Sequence, residues 1–141
     1  MPRIRIPRPF AAITFAAVVA CTSNPLGLCA CDPPIPTAVV YGRVTQPDGV
    51  PAGGARVHVD MSPTGCEKWV DGRDYNTDGE GRYRASLYRL GPESEQCVRV
   101  FAEPLVRSAM RGSDTVTISV HFPANARPDS VRVDLALRPL Q

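Results

Sequence analysis

The stretch Ala55-Arg56-Val57-His58-Val59-Asp60-Met61 alternates apolar and polar side chains without a break. Successive side chains of an extended strand point to opposite faces, so this pattern predicts one buried and one wet face. Ala55, Val57, Val59 and Met61 share the first face, and Arg56, His58 and Asp60 the second. The same alternation sets Val116, Ile118, Val120 and Phe122 against Thr115, Thr117, Ser119 and His121. It recurs near the C-terminus, with Val131, Val133, Leu135 and Leu137 against Arg132, Asp134 and Arg138. Weaker versions run over residues 39–45, 82–90 and 97–103. Pro47-Asp48-Gly49, Gly53-Gly54 and Asp78-Gly79-Glu80-Gly81 supply turns between them, because Gly accepts positive φ and Pro fixes its own. Beyond the first twenty residues no helical stripe of ten or more residues appears. The expectation is all-β: an antiparallel β-sandwich of six to seven half-buried strands.

A length of 141 residues allows one such domain with a tail. The formal charge of +2 is set by the start of the chain, where Arg3, Arg5 and Arg8 lie. From Cys21 onward there are 13 basic and 14 acidic residues, and 13 − 14 leaves −1. That balance gives no basic patch for nucleic acid, which is not expected as a partner.

MPRIRIPRPF is basic, and the AAITFAAVVA that follows is apolar and only ten residues long. A charged start before a short apolar run predicts a secretory signal over residues 1–20 rather than a membrane helix. Val18-Val19-Ala20-Cys21 then resembles a bacterial lipobox, whose cysteine is acylated and becomes the new N-terminus. The resemblance implies a lipid anchor on Cys21, with Leu28-Cys29-Ala30-Cys31 offering Cys31 as the alternative. Each buried acyl CH₂ contributes about 0.8 kcal/mol, so a multi-chain anchor holds. The expected address is the cell envelope, on the periplasmic or outer face of a bacterial membrane. Residues 21–37, rich in Cys and Pro, read as a stiff tether below a domain of residues 38–141.

Gly42-Arg43-Val44-Thr45, Asp48-Gly49-Val50-Pro51 and Gly54-Ala55-Arg56-Val57-His58-Val59 resemble the opening of carboxypeptidase regulatory-like domains, which are transthyretin-like in fold. Thr77-Asp78-Gly79-Glu80-Gly81-Arg82-Tyr83 is similar to that family's turn into its third strand. Residues 131–137 resemble its last strand. The family implies a seven-stranded sandwich that accompanies another activity. Its motifs are structural and nearly silent on chemistry. The insert between Met61 and Asn76 is longer than the family's loop, so nothing is carried over there.

Catalytic signatures are missing from the sequence. Zinc carboxypeptidase chemistry needs an HxxE pair and a distant His. Here only His58 and His121 exist, followed by Val59-Asp60-Met61 and Phe122-Pro123-Ala124. Both are expected as exposed residues on polar strand faces. The chain ends Arg138-Pro139-Leu140-Gln141, unlike the Tyr-Arg-Gly-Ser end of transthyretin-like hydrolases. No G-x-S-x-G elbow and no P-loop are present. Asp71, Asp74, Asp78 and Glu80 form a weak calcium candidate, since hard cations favour carboxylates, although the spacing is not an EF-hand's. No other metal and no cofactor is expected.

Trp69 and Tyr75, both in the long insert, are candidate stacking residues for a sugar or peptide. Cys66 and Cys97 are expected to form a disulfide, which an oxidising compartment permits and which would pin the insert. The sequence thus predicts a non-enzymatic, exported, lipid-anchored protein whose sandwich binds or scaffolds an envelope protein or glycan. Two alternatives stand beside it: a carbohydrate-binding module using the aromatic insert, and an enzyme of unrecognised chemistry at residues 61–78.

Overall fold

The computed structural model describes residues 35–106, 110–124 and 127–140. The signal segment, Cys21, Cys29, Cys31 and most of the tether fall outside these residues. Among the described residues every regular element is a strand: β1 (Thr37–Thr45), β2 (Arg56–Ser62), β3 (Val70–Asn76), β4 (Arg82–Tyr88), β5 (Glu95–Glu103), β6 (Met110–Arg111), β7 (Val116–His121), β8 (Asp129–Arg132), β9 (Leu135–Ala136) and β10 (Arg138–Pro139). Seven of them run four residues or more, and the other three are two-residue pieces.

Two sheets form the sandwich. The first has the order β4-β1-β8, with β9 also paired to β1, and the second the order β3-β2-β5-β7. A short β10-β6 ribbon lies beside them. The alternation read from the sequence places the core. Val57, Val59 and Met61 of β2, Val98, Val100 and Ala102 of β5, and Val120 and Phe122 at β7 are buried against Val40, Val44, Ala85 and Leu87 of the first sheet. Each buried Val, Leu, Met or Phe of this set contributes about 1.5–3 kcal/mol, which makes this shared core the main stabilising element.

Pairing is antiparallel except along β1, where β8 and β9 run parallel to it. The sandwich is otherwise antiparallel, as expected, and these two pairings are the exception among the described residues. Periodicity sets which face a residue takes, but it carries no information on strand direction. The alternating run 131–138 is also broken into β8, β9 and β10, and the reason is local. Val131 lies opposite Val40 and Leu135 opposite Val44, so the register is continuous across the break. Between them the Asp134 carboxylate, rather than a backbone carbonyl, accepts from the Arg43 N–H at 2.9 Å. Gly42 permits the approach, because a Cβ there would stand 1.8 Å from the Val133 carbonyl oxygen.

The insert departs from its reading as a loop, since residues 70–76 form strand β3 at the edge of the second sheet, antiparallel to β2. The Cys66–Cys97 disulfide ties the segment before β3 to β5, with the two Cα atoms 5.3 Å apart.

The turn that carried the family resemblance is explained residue by residue. The buried Thr77 hydroxyl donates to the Ala52 carbonyl at 2.6 Å and accepts from the Ala55 N–H at 2.9 Å. Asp78 accepts from the N–H groups of Glu80 and Arg82 at 3.0 and 2.8 Å. Gly81 takes φ 73° beside the Val44 carbonyl, a conformation open to glycine. Tyr83 then enters the core.

Candidate functional site

The residues singled out in the sequence do not converge. Tyr75 packs against the core, and its hydroxyl donates to the Ser86 carbonyl of β4 at 3.4 Å, bridging the two sheets. Trp69 lies on the other side of the second sheet, under the guanidinium of Arg99 at 4.7 Å from its ring centroid. Arg99 projects outward between the buried Val98 and Val100 and donates through Nε to Asp60 at 2.6 Å. One stacking platform cannot use both aromatic rings, and the Trp69 face is covered by a cation.

The carboxylates are likewise distributed. Asp71 pairs with Arg73 at 3.2 Å and Asp74 with His58 at 2.6 Å. Asp78 and Glu80 both bind Arg82 at 2.9 Å. Asp71 and Asp74 stand on a strand, Asp78 and Glu80 in a turn, and no metal-sized group of three or more ligands forms among the described residues.

His121 is exposed, as expected, but His58 is not. Its ring stacks on Phe101 with centroids 4.6 Å apart, and Nδ1 faces Asp74 while Nε2 lies 3.6 Å from Glu103. Nε2 is buried and makes no hydrogen bond among the described residues. The cross-strand placement of His58 opposite both Asp74 and Phe101 produces this sandwiching, which sequence alternation alone could not show.

A cavity lies elsewhere among the described residues, on the outer face of the first sheet. It measures about 550 Å³ and is lined by Tyr41, Arg43, Glu80, Arg82, Arg84 and Arg132, over a floor of Gly42 and Tyr83. Strand alternation puts these side chains outward because Val40, Gly42 and Val44, and Tyr83 and Ala85, turn inward. Register then aligns them. Tyr41 stands opposite Arg84 on one side and Arg132 on the other, and Arg43 stands opposite Arg82.

Three of the four arginines are fixed through Nε by acceptors of the protein itself. Arg43 donates to the Glu80 carbonyl at 2.9 Å, Arg82 to Asp78 at 2.9 Å, and Arg132 to Asp134 at 3.2 Å. Their partners respond. Hydrogen bonds from Arg132, and then the Arg43 N–H, hold the Asp134 carboxyl below its ordinary value despite partial burial. The Arg82 backbone N–H and side chain do the same for Asp78. Arg84 is paired with no carboxylate among the described residues. Of these groove residues only Glu80 was singled out in the sequence, as part of the calcium candidate, and none of the arginines was. The available signal was arginine recurring on the polar phase of three separate strands, which becomes a site only once those strands are known to be neighbours.

No protein-family model matches this sequence, and no curated protein matches it. Among solved structures the chain is similar to catechol 1,2-dioxygenase from Acinetobacter sp. ADP1, at 15% identity and TM-score 0.49 over 79% of this chain and 55% of that one. Chlorocatechol 1,2-dioxygenase from Pseudomonas putida gives 12% identity and TM-score 0.49 over 73% and 60%. The dioxygenase domain of a carbohydrate-binding fusion from Streptomyces sp. SirexAA-E gives 15% and 0.49 over 78% and 84%. The chain therefore spans little more than half the length of the first two. Likeness at this level assigns neither a family nor an activity.

Proposed function

We propose that this protein is an exported, lipid-anchored component of a bacterial cell envelope, with a β-sandwich that binds a partner rather than transforming it. The observation that carries the export half is the Cys66–Cys97 disulfide, because structural disulfides persist in oxidising compartments and are rare in the cytosol. The basic, apolar, Cys21-terminated start of the chain supports the same route. The binding half is supported by a groove of sandwich-exterior side chains held in place by their own partners. The turn motifs that resemble carboxypeptidase regulatory-like domains do purely structural work, as an accompanying module requires. The intact mass of protein extracted from membranes tests the proposal. The expected species begins at Cys21 and carries acyl chains; a species that keeps Met1 and carries none would refute it.

A further inference from the structure

We infer that the groove on the outer face of the first sheet is a binding site for an anionic sugar, one bearing a carboxylate, sulfate or phosphate. This rests on the binding-module reading and names the ligand class and the site. The first reason is electrostatic. Four guanidinium groups line the groove, and Glu80, Asp78 and Asp134 are the carboxylates that touch them, so 4 − 3 leaves +1. The chain from Cys21 onward is nearly balanced, so this is a local excess. Arg43 lies directly opposite Arg82, and like charges so placed oppose folding, which makes their concentration here unfavourable for stability alone.

The second reason is preorganisation. Arg43, Arg82 and Arg132 are already oriented by hydrogen bonds through Nε, so binding an oxyanion orders little more. A guanidinium carries five N–H donors, and Arg132 uses two on Asp134. Arg84, unpaired among the described residues, supplies the charge that has no internal partner. Charge-assisted, bidentate contacts of this kind are the strong and geometrically selective ones.

The third reason separates a sugar from a bare anion. Tyr41 stands in one cross-strand row between Arg84 and Arg132, with 38% of its surface exposed. An aromatic face packs on the apolar face of a pyranose, while the flanking guanidinium groups reach its acid substituent. A groove of about 550 Å³ accommodates a short segment of such a glycan.

The test is calorimetry of the full chain against four probes: a galacturonic acid oligomer, a sulfated dextran oligomer, a neutral dextran oligomer and polyglutamate of matched charge. The two acidic sugars should bind, and their relative affinity distinguishes carboxylate from sulfate recognition. Neutral dextran and polyglutamate should bind at least about tenfold more weakly. Tyr41→Ala and Arg84→Gln should each weaken the acidic sugar about tenfold. Arg56→Gln, the same charge change on the other sheet, should leave it unaltered, and thermal melts check that every variant is folded. Polyglutamate binding as tightly as the sugars overturns the assignment, leaving only a basic groove. Sugar binding lost in Trp69→Ala but kept in Tyr41→Ala also overturns the groove while preserving a binding module. No binding to any probe by a chain that is acylated at Cys21 overturns the groove and leaves the export reading standing.

Discussion

The Tyr83 hydroxyl donates to the Val133 carbonyl at 2.7 Å, joining residues 50 positions apart inside the sandwich. Val133 sits at the break between β8 and β9, where the carbonyl needs a donor that the ladder does not supply. Tyr83→Phe should destabilise the fold by about 1–2 kcal/mol, because a buried carbonyl loses its partner. Burial also pushes the Tyr83 phenol well above its ordinary value of 10.0. The folded chain therefore resists losing that proton while the unfolded chain does not. Its contribution is fully present below about pH 10 and lost as pH rises beyond it. Urea titrations at alkaline pH should show this loss in the wild type and a shallower one in Tyr83→Phe.

Gly42→Ala should be far more damaging than its chemistry suggests. The added methyl would stand 1.8 Å from the Val133 carbonyl oxygen, which is backbone and cannot swing away. We expect a loss of at least about 3 kcal/mol, measured as a fall in the urea midpoint. A variant with wild-type stability would show that β1 and the β8–β9 segment are not this close.

Reduction of the Cys66–Cys97 bridge should lower stability by about 3–4 kcal/mol on the chain-entropy estimate for a separation of 31 residues. The double variant Cys66→Ser, Cys97→Ser should match the reduced protein. Thiol titration of the denatured wild type should find neither of these two cysteines reactive.

Acid should act through the groove's own ion pairs. Asp134 and Asp78 are both held below the ordinary carboxyl value of 3.8. A depressed folded value means that the unfolded chain takes up protons first as pH falls. The stability these pairs contribute is present above the unfolded value of 3.8 and is lost as pH falls below it through the depressed folded values. Thermal melts over that range should slope downward, and Asp134→Asn should flatten part of the slope.

Trp69 is the only tryptophan in the chain, so its emission reports on the Arg99 guanidinium above it. Arg99→Ala should shift that emission and destabilise by about 1–3 kcal/mol, since Asp60 would keep a largely buried charge with no counterion. Asp60→Asn should leave the ring contact in place and shift the emission less.

Much of this fold was legible because burial follows parity. Val57, Val59, Met61, Val120, Phe122, Val133, Leu135 and Leu137 all face inward as their alternation requires. β3 was not legible, because Val70-Asp71-Gly72-Arg73-Asp74-Tyr75-Asn76 has no apolar phase. An edge strand needs only one partner, and Asp71 even takes φ 52° there. The Arg84–Tyr41–Arg132 row was invisible for a different reason. Each residue is an ordinary exposed position on its own strand, and their adjacency depends on a parallel pairing between residues about ninety positions apart.

That pairing also sets an order of events during synthesis. β1 is the middle strand of its sheet, yet one of its two edges is completed only by residues 129–136. A ribosome delivers the N-terminal strand first, so through most of elongation its backbone N–H and C=O groups on that side have only water to bond. The Arg43 amide likewise gains its acceptor only when Asp134, 91 residues downstream, arrives. The first sheet is therefore completed only when nearly the whole domain has been made.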